Sequence, residues 1–455
     1  MRGAGHQANS VETGEATATA VTSGQVVLEP GRCGLSVIIP ALHEGRNLSL
    51  LLPEVRECLQ TLGLLHEILV VTADVDAETR RACDANEAEV IVQVDSGYGG
   101  ALLAGFARAR GQYLLTMDAD LSHAPTFIAH LWQERARAEI VIASRYVPGG
   151  SVRMPVSRHV LSRTLNAFFR RGLSVPVNDL SSGFRLFKAD IVRGQAFTSR
   201  DFDILEEILV RGFCQGWRVC EVPFRYEPRR HGSSHARVLR VGWACLRTFI
   251  SLWRSRNSIL AADYDYRAYD GAIYLQRYWQ RSRYRHVTEL FAGNGPVLDV
   301  GCGSSRIIGA LPPGSVAVDV LLRKLRFARR FGRRLVQASG FQLPFRDASF
   351  PCVVCSQVIE HVPKESPIID ELCRVLAPGG RLVLGTPDYA RWQWVWMEKA
   401  YAMAAPGGYA DEHIAHYRYD ELVGMFERRG YRLEACRYIL RGELIMAFRK
   451  PSRQT

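Results

Sequence analysis

Lysine is nearly absent from this chain of 455 residues: only five of its 58 cationic side chains are lysine, and 53 are arginine. With 46 acidic residues, the formal net charge is +12. An arginine-rich, basic chain suits anionic partners, because the planar guanidinium group binds phosphate through two hydrogen bonds. A general coding preference for arginine would give the same count. The composition therefore does not choose among nucleotides, lipid phosphates and nucleic acid.

Long apolar runs and paired cysteines are missing as well. No window approaches the ~18 consecutive apolar residues that a membrane-spanning helix needs, and no basic segment followed by an apolar stretch predicts a signal peptide. The eleven cysteines are odd in number and scattered, which favours a reducing compartment over a disulfide framework. We therefore expect a cytoplasmic protein, with the inner face of the cell membrane as the place where it would meet a lipid substrate.

Two blocks of apolar strands alternating with helical stretches follow an aperiodic N-terminal segment. The pattern predicts an α/β fold class with two doubly wound domains, because strands that alternate with helices form mostly parallel sheets covered on both faces. The first block has strands at 35–39, 67–71, 89–94, 113–117 and 139–143. The second has strands at 297–300, 315–318, 334–337, 352–355 and 381–385.

The predicted organisation is a disordered tail over 1–33, a first domain over 34–235, a helical bridge over 236–284 and a second domain over 285–455. Within the bridge, the segment 238–256 interleaves apolar residues, two tryptophans among them, with arginines such as Arg247, Arg254 and Arg256. Such a basic amphipathic helix can lie in a membrane interface. The alternative is a helix packed on its own domain with its arginines reaching into solvent.

Asp118 and Asp120 directly follow the predicted strand 113–117. Ligands of open α/β folds bind at the carboxyl ends of parallel strands, where these two carboxylates are expected to lie. Such a pair can hold a Mg²⁺ or Mn²⁺ ion that also grips a diphosphate. The sequence therefore predicts a metal-assisted phosphate site in the first domain.

Several segments, in order over residues 34–256, resemble family 2 glycosyltransferases, in particular the dolichol-phosphate (polyprenyl-phosphate) mannosyl- and glucosyltransferases. The segments that carry this resemblance are 40–44 (PALHE), 97–101 (GYGGA), 113–123, 144–150 (SRYVPGG), 179–185 (DLSSGFR) and 229–234 (RRHGSS). The resemblance implies a GT-A-like fold, a nucleotide-sugar donor such as GDP-mannose or a UDP-hexose, and a polyprenyl-phosphate acceptor. It is compatible with peripheral membrane association.

The resemblance also implies roles at matching positions. Pro40, Glu44 and Asp74 would line the nucleotide pocket, and Asp118 and Asp120 would hold the metal and the donor diphosphate. Asp179 would orient the reacting groups. Phosphate groups of donor or acceptor would be bound by Arg185, Arg230 and Ser233.

Three departures from the family pattern bear on activity. Thr72 stands where the family usually carries an Asp-Asp pair, Ser122 or His123 where it carries a metal-associated Gln, and His235 where it carries Lys. Histidine is a weaker cation than lysine near neutral pH. The departures keep open a first domain that is catalytically degenerate and only recruits substrate.

Residues 297–305 read as a strand that runs into a tight glycine loop, VLDVGCGSS. A dinucleotide fingerprint would need another Gly at 306, where Arg stands. With the acidic residue that ends the next strand and later motifs up to 382, the segment instead resembles class I S-adenosylmethionine-dependent methyltransferases, over about 285–450. The resemblance implies a Rossmann-like fold and S-adenosylmethionine as cofactor, bound by Asp299, Gly301, Gly303, Asp319, Ser339 and Gln357.

Methyl transfer to a hydroxyl requires a proton acceptor. His361, His413 and His416 are the base candidates. His361 is also part of the family motif, and His413 and His416, the two catalytic candidates, lie in a segment that we place over the acceptor pocket. The resulting hypothesis is a bifunctional enzyme that transfers a sugar to a polyprenyl-phosphate-type acceptor and methylates the glycoside or a related intermediate. The alternative is a methyltransferase with a degenerate, recruiting first domain. We predict no nucleic-acid partner, since the sequence carries no zinc finger or aromatic RNA-binding motif.

Overall fold

The computed structural model describes residues 19–20, 33–226, 238–271, 273–404 and 413–452. It forms two compact units: an N-terminal unit, 23–264, and a C-terminal unit, 265–455, to which residues 1–22 belong. Most of the predicted tail 1–33 lies outside the described residues, as do Arg230, Ser233 and His235. No helix among the described residues has the length and hydrophobicity needed to cross a bilayer.

The chain begins with β1 (Thr19–Ala20), which belongs to the C-terminal unit. The N-terminal unit then contains β2 (Leu35–Pro40), α1 (Gly45–Thr61), β3 (His66–Thr72), α2 (Ala77–Ala85), β4 (Glu89–Val92), α3 (Tyr98–Arg108), β5 (Tyr113–Thr116), α4 (Ile128–Glu134), β6 (Ile140–Ser144), β7 (Ser151–Val152), α5 (Val156–Gly172), β8 (Arg185–Lys188), α6 (Ile204–Cys214), β9 (Val219–Pro223), β10 (Arg225–Tyr226) and α7 (Val238–Asn257).

Seven of these strands form one sheet in the order β4-β3-β2-β5-β8-β6-β9, and β7 pairs with β10. All pairs in the sheet are parallel except those of β8, which runs antiparallel to β5 and β6. Alternate residues of β2 point to opposite faces. Val37 packs with α1 on one face, and Ile38 packs with α3 on the other. Coverage on both faces explains why β2 is apolar at nearly every position.

The C-terminal unit contains α8 (Tyr264–Ala268, which begins at the boundary), α9 (Tyr274–Phe291), β11 (Val297–Val300), α10 (Ile307–Ala310), β12 (Val316–Asp319), α11 (Leu322–Ala328), β13 (Arg334–Gln337), β14 (Phe350–Ser356), α12 (Ile368–Val375), β15 (Leu376–Pro387), α13 (Trp392–Ala404), α14 (Tyr419–Glu427), β16 (Arg432–Ile439) and β17 (Glu443–Arg449). Its sheet has the order β1-β13-β12-β11-β14-β15-β17-β16, parallel from β13 to β15 and antiparallel at β1, β17 and β16.

The predicted fold class is confirmed: both units are α/β folds, with mixed sheets. The helical segment expected as one bridge is divided between the units, since α7 lies in the N-terminal unit and α9 in the C-terminal one. The predicted exposure of Arg256 on α7 is wrong. Its guanidinium is buried, forms an ion pair with Asp263 and donates from Nε to the Leu173 carbonyl at 3.0 Å.

Candidate active sites

The first candidate site lies at the carboxyl ends of β2, β3 and β5. These strands are neighbours and parallel, with Pro40 in register with Val71 and Ile38 in register with Thr116. Three predicted pocket residues follow from this arrangement: Pro40 ends β2, Glu44 precedes α1, and Asp74 follows β3. Glu44 accepts a hydrogen bond from the amide of Asn47, and Asp74 is exposed. The strand order thus brings these residues to the edge that also carries Asp118.

Asp118 and Asp120 have different surroundings. Asp118 keeps 29% of its side chain exposed and accepts a hydrogen bond from the Tyr98 hydroxyl at 3.2 Å. Asp120 is buried, and its Oδ1 accepts the Ser122 backbone N–H at 3.1 Å and the Ser122 hydroxyl. Asp118 is therefore the carboxylate open to a ligand. Carboxylate oxygens are the donors that Mg²⁺ and Mn²⁺ prefer, so the donor set fits such an ion.

His123 fixes the position of Asp118. The Asp118 backbone N–H donates to His123 Nδ1 at 2.9 Å, and His123 Nε2 lies 3.7 Å from Asp118 Oδ2. Burial lowers the pKa of His123, so the imidazole is neutral near pH 7. Because Nδ1 accepts the backbone hydrogen, the ring proton resides on Nε2 and faces the carboxylate.

The segment 179–185 lies against this edge. A Cβ added to Gly183 would lie 2.7 Å from the Tyr98 hydroxyl and 3.2 Å from Asp118 Oδ1, so only glycine fits. Asp179 is fully buried and accepts from Arg145 Nε and Nη2, both at 2.7 Å. The close fork-to-fork pairing raises the pKa of Arg145, so its charge is permanent. The segment thus joins Asp118 and the buried Arg145–Asp179 pair.

Arg185 does not take the predicted position. It is fully buried, and its guanidinium donates to three main-chain carbonyls, those of Ser182 (2.6 Å), Leu205 (2.7 Å) and Leu180. A guanidinium engaged in this way supports the loop backbone and does not face a phosphate. The structure does not show the predicted phosphate contact of Arg185, because the side chain is fully buried and its donors are taken by these three carbonyls.

The sequence did not reveal the partners of these residues. Tyr98, His123 and Arg145 each lie within a recognised segment. The contacts of Tyr98 to Asp118 and of Arg145 to Asp179 join separate segments, whereas the contact of His123 to Asp118 closes a turn within one segment. Glu221 on β9 also contributes, since its carboxylate accepts the backbone N–H groups of Asn178 (2.9 Å) and Asp179 (3.0 Å). No local pattern distinguishes Glu221 from other acidic residues on strands.

The second candidate site is the glycine loop after β11. Gly301 and Gly303 have φ of +72° and +56°, which favours glycine. A Cβ on Gly301 would lie 2.2 Å from a methyl group of Val358. Asp319, at the end of β12, accepts the Gly303 N–H at 2.8 Å. Asp299 is buried inside β11, and burial together with the charge of Asp319 raises its pKa to about 7.

Asp265 is part of this site, although no sequence motif pointed to it. Its Oδ2 accepts from Lys324 Nζ at 2.9 Å and from the Ser304 hydroxyl at 3.1 Å. A Cβ on Gly303 would lie 3.0 Å from the same oxygen. The glycine loop therefore lies between two carboxylates, Asp265 and Asp319. The space around Gly303 has no room for a side chain. This fits a loop whose backbone approaches a cofactor closely.

Ser339 and Gln357 lie along the same sheet edge, because β13, β12, β11 and β14 are consecutive and parallel. The Ser339 hydroxyl accepts the Phe341 N–H at 3.1 Å in the turn that follows β13. Gln357 has φ of +61° and follows β14. With its amide nitrogen facing Glu360, it donates to Glu360 Oε1 at 3.2 Å. The predicted cofactor residues are thus brought to one edge.

The structure brings His413 and His416 together around Tyr389. His413 Nδ1 lies 2.8 Å from Glu398 Oε1 and 2.8 Å from the Tyr389 hydroxyl, which itself donates to Glu398 at 2.9 Å. His416 stacks on Tyr389 with ring centres 4.0 Å apart. Burial is the main cause that lowers the pKa of His413, so this imidazole is neutral near pH 7. Glu398 and Tyr389 were missed as partners because they lie in separate segments.

Comparison with known proteins assigns each unit. The glycosyl transferase family 2 model matches residues 36–194, and the methyltransferase domain model matches residues 298–384. The chain is 33% identical over 213 residues to a polyprenol monophosphomannose synthase of Mycolicibacterium smegmatis, covering 44% of this chain and 79% of the relative. It is 32% identical to an undecaprenyl-phosphate mannosyltransferase of Micrococcus luteus, covering 43% and 85%.

A dolichol-phosphate mannosyltransferase of Pyrococcus furiosus is 34% identical over 44% of this chain, which spans 58% of that relative. Among solved structures, glucosyl-3-phosphoglycerate synthase from Mycobacterium tuberculosis matches 50% of this chain and 80% of its own, with 20% identity and a TM-score of 0.39. The family model and the relatives covered over more than three quarters of their length place the N-terminal unit, and the second family model places the C-terminal unit. The chain therefore belongs to glycosyltransferase family 2 and carries a methyltransferase domain in its C-terminal unit.

Proposed function

We propose that the N-terminal unit transfers a hexose from a nucleotide sugar, GDP-mannose or a UDP-hexose, to a polyprenyl phosphate. We further propose that the C-terminal unit methylates the glycoside or a related intermediate with S-adenosylmethionine. The observation that carries the sugar transfer is the open carboxylate of Asp118, at the strand edge against which the loop 179–185 packs. The names of the relatives, which include an undecaprenyl-phosphate mannosyltransferase, support the acceptor class.

In the proposed sugar transfer, Asp118 and Asp120 hold a Mg²⁺ or Mn²⁺ ion. When bound, the ion neutralises charge on the departing diphosphate. Pro40, Glu44 and Asp74 line the nucleotide pocket. The acceptor phosphate is already an anion, so positioning and charge neutralisation suffice without a strong base.

Asp179 orients the reacting groups through Arg145, whose guanidinium it holds at 2.7 Å. Arg230 and Ser233, which lie outside the described residues, bind phosphate groups of donor or acceptor. Arg185 has no phosphate contact in this scheme. It fixes the backbone of the loop 179–185 through its three carbonyl acceptors.

In the proposed methyl transfer, Gly301 and Gly303 bring the loop backbone close to the cofactor. Asp299, Asp319, Ser339 and Gln357 are the polar groups at the same edge. S-adenosylmethionine supplies an electrophilic methyl group when bound. The imidazole of either His413 or His416 accepts the one proton that the acceptor hydroxyl loses.

A surface of the N-terminal unit supports peripheral binding to a membrane. Helices α5 and α7 are neighbours, with the Phe168 and Phe249 ring centres 4.5 Å apart. Large apolar side chains on these helices are exposed, and we call them the α5/α7 face: Val156 (78%), Val160 (57%), Leu161 (55%), Phe168 (48%), Leu246 (45%), Ile250 (47%) and Trp253 (44%). Arg163, Arg247 and Arg254 are exposed on the same helices. Exposed apolar residues among arginines suit an anionic bilayer surface.

The test is mass spectrometry of lipids after incubation of the full chain with polyprenyl phosphate, Mg²⁺ or Mn²⁺, nucleotide sugars and S-adenosylmethionine. We expect a hexose increment on the lipid, and a further methyl increment only when S-adenosylmethionine is present. Asp118→Asn should abolish the hexose increment, whereas Asp84→Asn, an exposed carboxylate on α2, should not.

A chain that binds S-adenosylmethionine but yields no glycolipid with any donor would overturn the sugar transfer. That outcome would favour a recruiting N-terminal unit. A hexose increment without any methyl increment would instead overturn methylation of the glycoside itself.

A further inference from the structure

We infer that Glu360, His361 and His413 form a binding site for one divalent transition-metal ion in the C-terminal unit. One ligand atom from each residue lies within 4.8 Å of the other two. Glu360 and His361 lie in the turn after β14, and His413 comes from the segment that precedes α14. Two imidazoles and one carboxylate suit Zn²⁺ or another first-row transition metal better than Mg²⁺, which prefers oxygen ligands.

The two imidazoles have the spacing that a shared ion requires. The ring centres of His361 and His413 are 5.0 Å apart, with the planes inclined by 50°. Two imidazoles that bind one tetrahedral ion through nitrogens about 2.1 Å from it have ring centres about 5 Å apart. Little side-chain movement is therefore needed to close the site.

The backbone fixes the third ligand relative to the other two. The carbonyl oxygen of Glu360 accepts the N–H groups of Ile414 at 2.8 Å and Ala415 at 3.0 Å. These bonds hold the residues directly after His413 against the turn that carries Glu360 and His361. The three ligands thus keep their arrangement although about fifty residues separate them in sequence.

His413 also has the outer contact typical of a metal-bound histidine. Its Nδ1 lies 2.8 Å from Glu398 Oε1, so it donates its ring proton there and leaves Nε2 for the ion. A carboxylate that accepts the second ring N–H of a ligating histidine fixes its tautomer and strengthens its donor nitrogen. The Tyr389 hydroxyl donates to the same Glu398 oxygen at 2.9 Å and holds it in place.

Glu360 is a buried carboxyl group with one oxygen that lacks a hydrogen-bond partner among the described residues. The oxygen is Oε2, and the side chain is fully buried. The nearby cation Arg283 is committed to Glu443, with an N–O distance of 2.6 Å. An isolated buried carboxylate is costly unless it is paired or binds a metal. An ion at this site would satisfy Glu360 directly.

The site lies beside the glycine loop, because Val358, two residues before Glu360, packs against Gly301. The role of the ion rests on the proposed methyl transfer. The ion would bind an acceptor hydroxyl and lower the pKa of that hydroxyl. The hydroxyl proton goes to His416, since a ligating His413 cannot accept it. An oxygen–methyl bond then forms as the carbon–sulfur bond breaks, and the electron pair stays on the neutral thioether. The acceptor class is thus a hydroxyl.

The test measures Zn²⁺ binding directly, in the full chain carrying Asp118→Asn and Asp120→Asn so that the first site does not contribute. After treatment with a chelator, titration calorimetry with zinc chloride should give about one ion per chain. His413→Gln and Glu360→Gln should weaken binding at least 100-fold. Glu398→Gln should weaken it by about 10- to 100-fold, because it removes only the outer contact. His130→Gln, an exposed histidine of the N-terminal unit, is the matched control.

S-adenosylmethionine binding checks that each variant is folded. Absence of Zn²⁺ binding, or equal binding by His413→Gln and His130→Gln, would overturn the site. Undiminished methyl transfer by metal-free protein would overturn the role of the ion while leaving methyl transfer intact. Zn²⁺ binding without any methyl transfer would contradict the proposed function and leave the metal site standing.

Discussion

Gly183 occupies a position with no room for a side chain, between the Tyr98 hydroxyl and Asp118. We expect Gly183→Ala to reduce hexose transfer at least tenfold, because its Cβ would lie 2.7 Å from the hydroxyl and displace it from the carboxylate. The measurement is the initial rate of glycolipid formation. Gly271→Ala, whose Cβ would meet no atom closer than 3.4 Å, is the control. Full activity of Gly183→Ala would show that the loop adjusts without cost.

Glu206 should make stability depend on pH. Burial raises its pKa from 4.5 to about 7, so the folded state holds a proton that the unfolded state has lost across that window. The free energy of unfolding therefore falls as pH rises from about 4.5 to about 7, by up to about 3 kcal/mol in total.

Thermal unfolding of Glu206→Gln and of the unchanged chain at pH 4.5 and 7.5 measures this effect. The variant should lose less stability between the two pH values. Glu207→Gln cannot take the place of Glu206→Gln in this test, because the Glu207 carboxylate accepts hydrogen bonds from the backbone N–H groups of Thr198 and Ser199. Parallel pH curves for the two proteins would contradict the assignment.

The sequence located the candidate residues better than it located their contacts. Asp118, Asp179 and Asp319 follow from short motifs, and local spacing places Asp118 and Asp319 at strand ends. The side chains that hold them, such as His123 and Arg145, could not be assigned because their contacts depend on the tertiary packing of loops. Arg185 shows the opposite error: its motif suggested a ligand contact, whereas the fold buries it.

Among the elements, the α5/α7 face gives the clearest test. Trp253→Glu and Ile250→Glu should reduce binding of the full chain to anionic vesicles at least fivefold, because they place charge where apolar side chains would enter the interface. Vesicle sedimentation measures the effect. Leu50→Glu, which changes a side chain 50% exposed on α1, is the matched control. Equal losses for all three variants would indicate a nonspecific effect of charge.

The strands divide into those that sequence patterns reveal and those that they do not. The buried parallel strands were predicted within one to a few residues, because coverage on both faces makes them continuous apolar runs. Strands β8, β9, β16 and β17 were not predicted, nor were the two-residue strands β1, β7 and β10. Strand β8 has four residues and begins with a buried arginine, and β9 and β16 are edge strands with most residues half-buried or exposed. Tertiary contacts, rather than local pattern, determine these three, whereas β17 is a buried apolar run that local pattern could have indicated.

For the chain as a unit, we expect the two activities to be separable by single substitutions. Asp118→Asn should abolish glycolipid formation and leave S-adenosylmethionine affinity unchanged. Gly301→Ala should weaken that affinity at least tenfold and spare hexose transfer, since its Cβ would lie 2.2 Å from Val358. Calorimetry and lipid mass spectrometry on the same preparations provide both readouts. Loss of both activities from either change would refute independent sites.

The contact between His123 and Asp118 bears on the departure of this chain from its family. Where the family usually carries a metal-associated glutamine, Ser122 or His123 stands in this chain. The neutral imidazole of His123 offers one acceptor and one donor: Nδ1 accepts the Asp118 N–H, and Nε2 faces its carboxylate. The position of Asp118 thus depends on a group that can be protonated. Acidification would remove the acceptor nitrogen, so protonation of His123 would break the hydrogen bond that holds the backbone of Asp118.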